Sequence, residues 1–178
     1  LSAFDDLSLV ELLVNRGAAG LEDLPASVRG NQTALAEAIE NNVRRLIIDK
    51  MAINPEYYQN MSDLLDALIK QRRQQAINYK EYLDSIIHLT RQIKDPATHT
   101  RYPAAISTTP RMALYDNLGQ NETLAVQVDE AILAVKQEDW RNNTFKRRQV
   151  RSAIKSALGG DDALTDKILE IVMNQHEY

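Results

Sequence analysis

Apolar residues recur three and four positions apart along nearly the whole chain, and that spacing leaves little room for anything but helices. Leu35, Ala38, Ile39, Val43, Leu46 and Ile47 form one series. Tyr82, Leu83, Ile86, Ile87 and Ile93 form another, Leu124, Val128, Ile132 and Val135 a third, and Leu164, Ile168, Ile171 and Val172 a fourth. No alternating Val/Ile/Thr run and no Asn-Gly or Asp-Gly hairpin competes with them. The pattern predicts an all-α fold.

Local chemistry divides the helices. Asn54 followed by Pro55 reads as an N-cap and a first helical position, where the missing proline N–H costs nothing. Asn78 lies three residues before Glu81, as in a capping box. Thr109-Pro110 and Asn121 open two further helices, and Gly159-Gly160 closes one expected over 144–158. Gly17 stops a short helix over Leu7–Arg16, and GAAGLEDLP after it reads as a loop. Residues 95–109 (DPATHTRYPAAISTT), with Pro96 and Pro103, form the longest irregular stretch. The expectation is an irregular multi-helix bundle of about seven or eight helices, in one domain or in two lobes parted at 95–109. Glu40 with Arg44 and Arg45 with Asp49 have the i,i+4 spacing of helix-surface ion pairs, each worth roughly 0.2–0.5 kcal/mol.

Few catalytic chemistries find their residues here. None of the six glycines precedes a Lys, so no phosphate loop is present, and no Asp or Glu has a Lys two residues on, as a metal-dependent nuclease motif needs. His88, His99 and His176 lie far apart, which argues against zinc, and neither a metal nor another cofactor is expected in this chain. Ser152-Ala-Ile-Lys155 matches a short hydrolase motif but lacks its companions. Tyr57, Tyr58, Tyr79 and Tyr82 read as packing residues rather than a stacking platform. No apolar run is long enough to cross a bilayer, so no membrane partner is expected. The absence of Cys suits a reducing cytoplasm, the acidic start argues against a signal peptide, and the missing initiator Met suggests a piece of a longer protein.

One segment departs from the rest. The chain carries a formal charge of −4, yet KRRQVRSAIK (146–155) holds five basic residues and no acid. At about 100° per residue, Arg147, Arg151, Lys155 and Arg148 share one arc of the helix, flanked by an apolar stripe of Val150, Ala153, Ile154 and Ala157. None of these cations has an acid at i±4, and Lys146, Arg147 and Arg148 crowd a helix N-terminus, where the dipole disfavours cations by roughly 0.3–1 kcal/mol each. A solvated face and a surface for an anionic partner both fit. Candidate partner- or phosphate-binding residues are therefore Lys146, Arg147, Arg148, Arg151 and Lys155, with Trp140, the sole Trp, either a core residue or an interface anchor.

Several segments together resemble one family. DLSLVELLVNRG (6–17), AIENNVRRLIIDKMAINPEYYQNMSDLLDALIKQRRQQAINYKEYL (38–83), TPRMALYDNLG (109–119), WRNNTFKRRQVRSAIK (140–155) and ILEIVMNQHEY (168–178) are similar to the C-terminal helical region of type I restriction endonuclease R subunits. The resemblance covers nearly the whole chain and contains no catalytic motif. It implies a non-catalytic docking domain that joins an ATP- and Mg²⁺-dependent DNA translocase and endonuclease to a core of methyltransferase and specificity subunits. ATP and Mg²⁺ would belong to other parts of such a subunit. The rival expectations are a module that contacts the duplex DNA backbone through the basic helix, and an enzyme whose site the spacing hides.

Overall fold

A computed structural model describes residues 6–23 and 30–178. The acidic opening at 1–5 and the Leu24-Pro25 end of the expected loop lie outside the described residues. Nine α-helices are present among those described: α1 (Asp6–Arg16), α2 (Gln32–Lys50), α3 (Pro55–Arg73), α4 (Tyr79–Lys94), α5 (Pro96–His99), α6 (Thr109–Asn117), α7 (Glu122–Val135), α8 (Thr144–Ala157) and α9 (Asp162–Met173). The fold is all-α, and no strand occurs among the described residues.

Most of the boundaries follow from capping chemistry. Side chains of Asn31, Asn54, Asn78, Asn121, Asn143 and Asp161 each accept a hydrogen bond from the backbone N–H three residues on. Helix α6, which contains Pro110, opens one residue earlier than the sequence suggests, because Thr108 rather than Thr109 supplies the cap oxygen to the Arg111 N–H. Helix α8 ends in a Schellman turn. The Gly160 N–H reaches the Lys155 carbonyl at 2.9 Å, with Gly159 and Gly160 at φ +72° and +89°. Two expectations change. Residues 17–23 are not a loop but a 3₁₀ turn. Asp95-Pro96, read as irregular, starts the one-turn helix α5, with the Asp95 carboxylate accepting from the Thr98 N–H.

The chain divides into two compact units, residues 1–49 with 58–100 and residues 50–57 with 101–178. In the first unit α1 and the 3₁₀ turn lie against α4, and Arg91 of α4 donates to the Val14 carbonyl at 3.1 Å. Helices α2, α3 and α4 bury Ile39, Val43, Leu65, Tyr82, Ile86 and Ile93. Tyr58 is also buried, as is Tyr57 of the second unit, and Tyr79 stacks on Tyr82 at 6.4 Å, so none of the four tyrosines forms an open platform. The expected Glu40–Arg44 pair is replaced by bonds from α2 to α3. Glu40 binds Arg72, and Arg44 binds Asp66. Glu40 faces the interior at 4% exposure, so its charge needs a partner that reaches inward.

The second unit packs α7 against α6 and α8, and α9 against α6 and α8. Val128, Ile132, Val150, Ile154, Ile168 and Val172 are wholly buried and share one core with Trp140. Full burial of each such side chain contributes roughly 1.5–3 kcal/mol. Residues 50–57 join this unit through Asn54. Its amide donates to Asp116 at 2.8 Å and its carbonyl oxygen accepts from the Asn117 amide at 2.8 Å.

Candidate functional site

Helix α8 carries the candidate surface. Asn143 caps it, Val150 and Ile154 anchor it to the core, and the Gly159-Gly160 turn sends the chain back so that α9 packs against it. That return decides the fate of the basic stripe. Arg151 donates to Asp166 at 2.9 Å and to Asp162 at 3.2 Å, and Lys155 binds Asp162 at 2.9 Å. The Lys155 and Arg151 bonds hold the Asp162 carboxyl below its ordinary value. The Asp166 bond, then that of Asp162, raises the Arg151 guanidinium. All of these groups are solvent-accessible, so the bridges orient α8 on α9 more than they stabilise it.

The cations at the helix start turn backward. Lys146 Nζ donates to the Glu138 carbonyl at 2.9 Å, and an Arg147 N–H donates to the Arg141 carbonyl at 3.0 Å. Each thereby finds partial negative charge N-terminal to the helix, which offsets the unfavourable dipole. Arg148 differs. It is exposed and, among the described residues, is the cation of the stripe with no hydrogen-bond or ion-pair partner.

Trp140 belongs to the core, not to a surface anchor. It is 1% exposed, and its indole N–H donates to the Tyr178 carbonyl at 3.2 Å. Arg141 covers its ring at 4.8 Å and donates to the Met173 carbonyl at 3.0 Å. The physical reason is local. The turn at 136–143 folds the side chain back onto α9 and the chain after it, where the indole N–H finds an acceptor.

The residue that the sequence reading missed is Phe145. It is 69% exposed, the most exposed large hydrophobic side chain among those described. Together with Arg148, Gln149, Ser152 and Ser156 it lines an open groove of about 870 Å³ between α8 and the end of α7. The signal was present in the helical spacing. At about 100° per residue Phe145 falls nearly opposite Val150 and Ile154, on a face with Ser152, Ser156 and Gln149 and with Arg148 at its edge.

Elsewhere, two buried polar clusters stand out. Glu40, Arg72 and Tyr82 form one, and Asp129, Arg111 and Tyr178 the other. Burial pushes the Asp116 carboxyl up, partly offset by bonds from Tyr102 and Asn54. Each of these groups is engaged with its neighbours, and Glu40 also lines an open pocket of about 730 Å³ between α2 and α3, with Arg44, Asp66 and Arg73. No group of three or more His, Asp or Glu is placed to hold a metal ion among the described residues. His88 is exposed on α4. Lys155 of the Ser152–Lys155 motif is occupied by Asp162. Among the described residues, no helix is long and apolar enough to cross a membrane.

Compared with family models, curated proteins and solved structures, the chain matches none.

Proposed function

We propose that this chain is a protein-docking domain. In the setting implied by its resemblance to the C-terminal region of type I restriction endonuclease R subunits, it joins an ATP- and Mg²⁺-dependent translocase and endonuclease to the methyltransferase–specificity core. The observation that carries the reading is the exposed Phe145 beside an unpaired Arg148 on a helix whose other cations are already engaged. Phe and Arg are enriched in protein interfaces, and Arg is enriched among the residues that dominate their energy, whereas an exposed Phe adds little to contact with a phosphate backbone. The second reading, contact with duplex DNA, draws on Arg148 and Lys136, which line the same groove. Two such cations give a weak and strongly salt-dependent footprint.

The test is binding of the chain to the purified methyltransferase–specificity core, without DNA, at low and moderate salt. Saturable binding that persists at moderate salt is expected. No binding to the core, with salt-sensitive binding to duplex DNA, would reverse the two readings.

A further inference from the structure

The groove between α7 and α8 has a composition that selects its occupant. Ala134, Val135, Ala153 and the exposed Phe145 are the apolar residues of its lining. Among the described residues, Lys136 and Arg148 are the charged ones in its lining, and no carboxylate lines it. The Gln137 amide donates to Gln149 at 2.9 Å across it, which ties the end of α7 to α8. From Phe145 to Ser156 the open face of α8 runs about 16 Å at 1.5 Å per residue, close to three turns of an α-helix. We infer that this groove docks an amphipathic acidic helix of a partner protein, with apolar side chains against Phe145 and the alanines and carboxylates reaching Arg148 and Lys136. A helix laid into a groove presents anchors at i, i+3, i+4 and i+7, which this length accommodates. The inference deepens the docking reading above and rests on it in taking a protein as the occupant. Charge complementarity sets the sign of the partner, and the exposed aromatic favours a protein over a nucleic acid.

The experiment titrates the isotope-labelled full chain by NMR with three probes. One is a synthetic helix of about four turns with Leu at i, i+3 and i+7 and Glu on both flanks. The second has Lys in place of each Glu, and the third is a short DNA duplex. The acidic helix is expected to shift the amides of 134–137 and 145–156 saturably. Phe145→Ala is expected to weaken it about ten-fold or more. Arg148→Glu is expected to weaken the acidic helix and strengthen the basic one. Near-ultraviolet signals of Trp140 would show that both variants keep their fold. Equal binding of both helices, shifts outside the groove, or preferential shifts there by the duplex would each overturn the inference. Binding of both variants to the methyltransferase–specificity core separates the two claims. Unimpaired core binding with no helix in the groove removes the groove and leaves the docking domain. A helix seated in the groove without any core binding removes the R-subunit setting and leaves the groove.

Discussion

Each unit buries a carboxylate between an Arg and a Tyr, and the two solutions differ in how completely the Arg commits. In the first unit Arg72 grips Glu40 with two N–H groups, at 2.6 and 2.9 Å, and the Tyr82 hydroxyl donates to the same carboxylate at 2.7 Å. In the second, Arg111 gives one N–H to Asp129 at 2.7 Å and another to the Ala105 carbonyl at 3.0 Å, while the Tyr178 hydroxyl donates to the other Asp129 oxygen. Burial first, then the carboxylate bond, pushes both tyrosine hydroxyls well above their ordinary value. The bonds of Arg72 to Glu40 and of Arg111 to Asp129 raise both guanidinium groups. A buried carboxylate is costly unless several donors surround it, so each cluster acts as a lock between separate segments of the chain. The first unit concentrates that lock in one fork, and the second spreads it over two acceptors.

The comparison breaks most readily at the arginines. Arg72→Ala strands Glu40 with a single donor and is expected to cost about 3–5 kcal/mol, read as a lower urea midpoint in far-ultraviolet circular dichroism. Arg111→Ala should cost less, about 2–3 kcal/mol, because one of its two bonds goes to a neutral carbonyl. Its effect is read by Trp140 fluorescence, since the only Trp lies in the second unit. A larger loss for Arg111→Ala than for Arg72→Ala would refute the ranking.

Buried amides sharpen the contrast. Asn117 donates to Asn54 and to the Ala113 carbonyl and accepts from the Glu56 N–H at 3.3 Å, so Asn117→Leu should destabilise by about 2 kcal/mol. Asn42 is equally buried, yet among the described residues neither its amide nitrogen nor its oxygen has a partner. Asn42→Leu should therefore stabilise the first unit by about 1 kcal/mol. A destabilised Asn42→Leu protein, in the same urea assay, would mean that the amide is satisfied in solution.

Smaller effects come from the hydroxyls and from pH. Tyr82→Phe and Tyr178→Phe each remove one bond to a carboxylate and should cost about 1 kcal/mol, with similar values if the two locks are alike at that point. Two carboxyls of the second unit shift in opposite directions. Asp116 is raised, so its contribution to stability is full below the ordinary carboxylate value and is lost as pH rises through its folded value. Asp162 is lowered, so the contribution of the α8–α9 bridge is present above the ordinary value and is lost as pH falls through its folded value. Thermal midpoints followed at Trp140 across mildly acidic pH should flatten on the high side in Asp116→Asn and on the low side in Asp162→Asn. An unchanged profile in either variant would remove that residue from the linkage.

Much of the fold was legible because helix boundaries are local. A cap oxygen and the N–H it serves are three residues apart, so Asn78, Asn121 and the Gly159-Gly160 close could be read directly. The candidate surface was legible only in part. The basic arc of α8 follows from spacing, but an i±4 search could not see Asp162 and Asp166, which lie 11 and 15 residues from Arg151 across a turn. That pairing, the burial of Trp140 and the exposure of Phe145 leave, in place of one basic stripe, a groove whose Arg148 has no partner among the described residues.

By itself, then, the sequence determined the all-α class, most helix limits and the polarity of each helix face, since these depend on propensity, capping and a 3.6-residue period. Only the tertiary structure decided which charges find each other. Glu40 meets Arg72 across 32 residues and Tyr82 across 42, Asp129 meets Tyr178 across 49, and Asn54 meets Asn117 across 63. Coulomb and hydrogen-bond energies act over a few ångströms of space and carry no memory of sequence separation, so the partners of buried groups become known once the helices are packed.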